Sequence, residues 1–196
     1  MKPLIAAMLL ALVAAPVFAG DVTNTSIIEN HSPHPFNIRD LVMMDRVSDP
    51  QLSPDGRYAA FAVRSTDYAG NKGVNAVYVL DLADHSAGGG KPVKVLDKAS
   101  SARWSADGRS LYYVAPVGGV AQLWRVDLGG KSGLNLSVHV NSVQVSHAPL
   151  DLGAYKLSPD GKRVLLSYEV FTDCATLTCT KERVDTRDKD KASGTL

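Results

Sequence analysis

The sequence predicts an all-β fold built from repeated four-stranded units, and three observations carry that prediction. One phrase occurs three times, as Leu52-Ser53-Pro54-Asp55-Gly56-Arg57, Trp104-Ser105-Ala106-Asp107-Gly108-Arg109 and Leu157-Ser158-Pro159-Asp160-Gly161-Lys162. Its serines, Ser53, Ser105 and Ser158, lie 52 and then 53 residues apart. Self-similarity at a fixed period of this size marks a repeat architecture. Between the phrases lie short apolar runs rich in Val, Leu, Tyr and Ala, separated by glycine-rich breaks. Such runs read as strands.

The phrase itself reads as a hairpin turn. Serine ends an apolar strand, and proline presets φ for the first corner of a type I turn. Aspartate bonds back to the local backbone, and glycine takes the left-handed position that follows. The second copy has Ala106 in place of proline. It keeps Asp107 and Gly108, so the turn survives with less preorganisation.

The strands follow in order. After the first turn come Tyr58–Val63 and Ala76–Leu82, then Gly88-Gly89-Gly90, then Pro92–Leu96. After the second come Leu111–Val114 and Gln122–Leu128, another Gly-Gly, and a strand candidate near Leu134–Val140. Four short antiparallel strands per unit at this period define a β-propeller blade. Blades are expected over about 49–98, 99–150 and 151–196, the last one incomplete. The segment 36–48 reads as a short helix leading into the first blade, with Ile38, Leu41, Val42 and Val47 on one apolar face.

The 196 residues correspond to about one domain. The hydrophobic fraction of 45% is that of a chain with a core, and the formal charge of +1 offers no basic face for nucleic acid. Residues 1–19 have the form of a secretory signal peptide. Lys2 supplies the positive start, Leu4–Val13 is apolar, and Val17-Phe18-Ala19 places small residues before a cleavage point after Ala19. An uncleaved anchor helix is the rival reading. Cleavage implies an exported chain, periplasmic or secreted, with no membrane contact thereafter. Residues 20–35 are polar, lack periodicity and read as a flexible lead-in.

The chain has two cysteines, Cys174 and Cys179. In an oxidising compartment the pair is expected to form a disulfide that pins a loop. Free thiols and a metal site are the other readings. Zinc requires two further ligands, and no histidine lies near the pair in sequence.

Four stretches resemble the prolyl oligopeptidase family of serine peptidases, in its exported dipeptidyl-peptidase and acylaminoacyl-peptidase branch. They are Asp40-Leu41 through Arg46-Val47-Ser48-Asp49-Pro50 into the first turn, the three turn phrases, Tyr155–Lys162, and Asp173-Cys174 with Cys179-Thr180-Lys181 followed by Lys191–Gly194. In that family an N-terminal propeller caps an α/β-hydrolase domain carrying serine, aspartate and histidine. The resemblance therefore implies a substrate-gating propeller and a peptide substrate. The Gly-x-Ser-x-Gly turn that exposes a nucleophilic serine does not occur here. No catalytic residue is carried over, and the chain is expected to be a partial propeller truncated before its hydrolase domain. The resemblance also implies an acidic group that meets the free amine of a substrate. Glu169 and Asp173, just before the cysteine loop, are the candidates, against the plainer reading of solvated loop acids.

Other patterns point to no chemistry. Gly130-Lys131-Ser132 lacks the upstream glycine of a phosphate-binding loop, because Arg125 stands in that place. Asp185, Asp188 and Asp190 lack the alternation and central glycine of a calcium loop and read as a solvated charged loop. Trp104 and Trp124 read as fillers between blades. His31, His34, His85, His139 and His147 fall in no recognisable catalytic motif. No cofactor is expected.

Three blades are fewer than the roughly four to eight that close a ring. An open arc exposes strand edges to association with another chain. Two further readings follow: a periplasmic binding or scaffold protein of the Tol type, or a propeller fragment that oligomerises.

Overall fold

The computed structural model describes residues 34–83, 90–130, 133–134 and 142–189. The expected signal peptide with Ala19, most of the lead-in, His31, His85, His139, Asp190 and Lys191–Gly194 lie outside the described residues.

A six-residue helix, α1 (Ile38–Met43), opens the described fold. The Asn37 side chain accepts from the Arg39 and Asp40 backbone N–H groups, while Asp40 accepts from the Asn37 N–H. This reciprocal capping box satisfies the orphan donors of the first turn. The expected apolar face does not pack. Ile38, Leu41 and Val42 are exposed, and Val47 lies on a strand and is exposed as well. The cap, the Thr66 hydroxyl donating to the Val42 carbonyl at 2.7 Å and Arg39 over the Tyr68 ring hold so short a helix; burial of its apolar residues does not.

Blade 1 is an antiparallel sheet of β1 (Arg46–Leu52), β2 (Tyr58–Asp67), β3 (Lys72–Asp81) and β4 (Val93–Asp97), in that order. Its first strand begins at Arg46, inside the segment expected to precede it. Blade 2 comprises β5 (Ser100–Trp104), β6 (Ser110–Val117) and β7 (Val120–Asp127). Gly118 and Gly119, with φ of 70° and 89°, make the two-residue connection between β6 and β7. Only glycine accepts two successive left-handed positions at no steric cost. A small ladder of β8 (Gly129–Gly130) and β9 (Gly133–Leu134) follows. The fourth strand of blade 2 is β10 (Ser142–Gln144), which pairs with β7. It lies beyond the expected Leu134–Val140, most of which falls outside the described residues. The third unit is the hairpin β11 (Ala154–Leu157) and β12 (Val164–Ser167). The chain then turns through Cys174 into α2 (Leu177–Lys189). Asp185 and Asp188, expected in a solvated loop, are helical. The segment is too polar to show an apolar stripe, yet it is capped by Thr176 and carries an i,i+4 pair of Lys181 with Asp185 at 2.5 Å.

Register shows which face each blade buries. In blade 1, Ala60 pairs with Val79 and Tyr58 with Asp81, and Tyr58, Ala60, Val77 and Val79 are buried. In blade 2, Leu111 pairs with Val126 and Tyr113 with Trp124, and Leu111, Tyr113 and Val126 are buried. These two faces form one core cluster with Val95, Ala102 and Trp104. Ala60 stands where Tyr112 stands in its repeat, and Ala59 where Leu111 stands. Blade 1 therefore gives its forward face to the backward face of blade 2. Burying each such Val or Leu contributes about 1.5–3 kcal/mol. Leu52 and Trp104 share a repeat position, and the difference between them makes the same point. Trp104, covered by blade 1, is 9% exposed, whereas Leu52 is 65% exposed.

Candidate functional site

The three turns have one geometry. In each, the serine hydroxyl donates to the aspartate Oδ1, at 2.5 Å for Ser53 to Asp55, 2.5 Å for Ser105 to Asp107 and 2.6 Å for Ser158 to Asp160. The same hydroxyl accepts from the first N–H of the returning chain, Tyr58, Ser110 or Arg163, at 2.9 Å. The aspartate Oδ1 also accepts from the N–H of Arg57, Arg109 or Lys162 at 3.1 Å. Gly56, Gly108 and Gly161 have φ of 70°, 69° and 68°. The serine hydroxyl, and after it the N–H of Arg57, Arg109 or Lys162, hold the carboxyls of Asp55, Asp107 and Asp160 below their ordinary range. Pro54 and Pro159 precede the aspartates at the first corner. With its proton committed to a carboxylate and a lone pair to the backbone, each serine is a strut of the turn rather than a nucleophile.

The seams between units are also built alike. β1 and β5 each carry a bulge four residues before the turn serine, with Asp49 and Ser101 in the left-handed region at φ 52° and 53°. Asp49 accepts from Nη1 of Arg103 at 2.6 Å. The indole Nε1 of Trp104 donates to the Gln51 carbonyl at 3.1 Å. At the next seam, the Tyr155 hydroxyl lies 2.7 Å from the Ser101 carbonyl and 2.9 Å from that of Tyr112. Burial pushes the Tyr155 phenol well up. The ends of the three first strands converge on a groove lined by Gln51, Arg103, Trp104, Tyr155 and Lys156. It holds one paired guanidinium, one exposed ammonium and an aromatic wall. Among the described residues no group of three His, Cys, Asp or Glu could hold a metal ion.

A second polar region follows β12. Cys174 and Cys179 form a disulfide with Cα atoms 5.6 Å apart. Both Asp173 oxygens accept from Nη1 of Arg183 at 2.6 Å. That guanidinium sits 4.5 Å from the Phe171 ring centroid. The ion pair holds the Asp173 carboxyl below its ordinary range. Glu169 is exposed and has no ion-pair partner among the described residues. The two acids therefore differ: Asp173 is engaged by Arg183, and Glu169 faces solvent.

The sequence reading missed a buried hub. Gln122, 2% exposed, donates through Nε2 to the carbonyls of Ala148 and Leu150 at 3.1 and 3.0 Å. Its Oε1 accepts from the Ser146 hydroxyl and the Ala148 N–H at 2.8 and 3.0 Å. This amide fixes the crossing from blade 2 to the third unit. Only its place on an otherwise apolar face of β7 could have signalled it. Trp104 packs in the core as expected, and Trp124 packs against it.

No family model matches the sequence, and no curated protein matches it. Solved structures do. The isopeptidase AtxE2, as a variant with astexin-3 bound, aligns with 80% of this chain and 26% of its own, at 18% identity and TM-score 0.50. An acylaminoacyl peptidase of Pyrococcus horikoshii aligns with 69% of this chain at 19% identity and TM-score 0.49. The β-propeller domain of the Trilobed protease from Pyrococcus furiosus aligns with 62% at 18% and 0.46. This chain spans 20% to 34% of those three chains. The described fold is thus a partial β-propeller, two four-stranded blades and a further hairpin. The resemblance to propellers of peptidases of the prolyl oligopeptidase type holds at the level of fold. Among the described residues no helix is long and apolar enough to cross a membrane.

Proposed function

We propose that this chain forms the substrate-gating propeller of an exported serine peptidase that cleaves peptides, the catalytic serine, aspartate and histidine being supplied by a hydrolase domain. The observation that carries the reading is the excursion after β12. There the chain leaves the propeller ladder after two strands and presents Glu169, the Asp173–Arg183 pair and the disulfide loop. That layout supports a loop displayed to a ligand, because loops on a rigid scaffold carry contacts. A disulfide accords with export. With Asp173 committed to Arg183, Glu169 is the acid offered to a substrate's free amine.

The test compares labelled peptides with free and acetylated N-termini by fluorescence anisotropy on the purified chain. Glu169→Gln is expected to weaken the free-amine peptide several-fold and to leave the acetylated one unchanged. Equal loss on both would remove the role of Glu169. The chain alone is expected to show no peptide turnover. Turnover blocked by a serine-reactive phosphonate would overturn the reading.

A further inference from the structure

Helix α2 is attached to the rest of the fold in an unusual way. It has little packing on the blades, and Thr180 is its one buried residue. Its face toward the preceding loop repeats every four residues: Cys179, Arg183 and Arg187 line one groove with Phe171. Two of those residues are clasped to the loop. Cys179 is bonded to Cys174. Arg183 holds both oxygens of Asp173 and lies over Phe171. One clasp is covalent and redox-sensitive, and the other is electrostatic and largely exposed, at 51% and 68% for Arg183 and Asp173. An exposed ion pair of this kind is weak alone.

We propose that the Cys174–Cys179 disulfide is a redox latch that keeps α2 docked on the 171–174 loop, and that its reduction frees the helix while the blades stay folded. A dithiol supplies two electrons and two protons. The S–S bond breaks, Cys174 and Cys179 become thiols, and the dithiol leaves as its own disulfide. Both cysteines are half-buried rather than enclosed in the core. Without the covalent clasp the weak pair alone opposes the conformational freedom of a polar helix, so α2 opens locally.

Limited trypsin digestion of the full chain, read by mass spectrometry, tests the latch. Lys181, Arg183 and Arg187 report on α2. Arg64 and Lys72, in the β2–β3 hairpin of blade 1, report on the propeller. Reduction with dithiothreitol is expected to speed cleavage in α2 on the order of thirtyfold, the scale set by closing so short a loop. Cleavage in blade 1 should not change. The double variant Cys174→Ser/Cys179→Ser should match the reduced protein, and Asp173→Asn in the oxidised protein should give a smaller increase. Equal α2 cleavage in the oxidised and reduced chain overturns the proposal. So does an equal rise at Arg64 and Lys72, which would make the bond a staple of the whole fold.

Discussion

The Asp49 carboxylate lies 2.6 Å from Nη1 of Arg103, joining the bulge of one blade to the first strand of the next across 54 positions of sequence. Asp49 holds a left-handed backbone to make this contact. Both side chains are partly exposed, at 31% and 39%. Arg103→Met is therefore expected to cost only about 0.5–1 kcal/mol. Most of that loss should vanish in half-molar salt, as thermal melts at two ionic strengths would register. A loss unaffected by salt would assign the residue's contribution to packing of its stem.

The turn serines predict a dependence on acid. The carboxyls of Asp55, Asp107 and Asp160 are held below their ordinary range in the folded chain. Their contribution is present above the unfolded carboxylate value, about 3.9, and is lost as pH falls through the lower folded values. Melting temperature should be level from pH 7 to 5 and decline below about pH 4. Ser105→Ala should cost about 1–2 kcal/mol at pH 7, because the Ser110 N–H loses its acceptor. The variant's decline in acid should be shallower.

Gln122 makes four hydrogen bonds through a side chain that is itself buried. Gln122→Met keeps much of the volume and strands two carbonyls, a hydroxyl and an N–H. The expected loss is on the order of 3 kcal/mol. Urea denaturation would measure it, and a loss under 1 kcal/mol would mean that water replaces the amide.

Tyr155 seals the second seam. Its phenol is pushed up by burial, so it should stay protonated well into the alkaline range. Spectrophotometric titration should show one tyrosine fewer in Tyr155→Phe only after alkaline unfolding. The same variant should lose about 1–2 kcal/mol, since the Ser101 and Tyr112 carbonyls lose the one hydroxyl proton they share.

Local chemistry made the turns legible. A serine, an aspartate two residues on and a glycine after it close their bonds within six residues, so the phrase carries its own structure. The blades followed from the spacing of those phrases. The seams did not, because Asp49 with Arg103 and Ser101 with Tyr155 meet only after the sheets stack. The α2 helix was hidden because Lys181, Glu182, Arg183 and Asp185 leave no apolar stripe to read. The apolar residues of α1 misled in the opposite sense: Ile38 and Leu41 sit on one side of the helix, and both remain exposed.

The two bulges give the stack a direction. At each seam the earlier unit offers an acceptor from its left-handed residue, the Asp49 carboxylate or the Ser101 carbonyl. The later unit answers with a donor on a long side chain, Arg103 or Tyr155. The roles do not reverse. A copy of the middle unit inserted after itself would set the Ser101 carbonyl toward a new guanidinium, again acceptor before donor. Duplication of a whole unit therefore preserves hydrogen-bond polarity at both new borders, whereas inversion of a unit would set acceptor against acceptor. Repeat number is free to drift in such a chain; orientation is not.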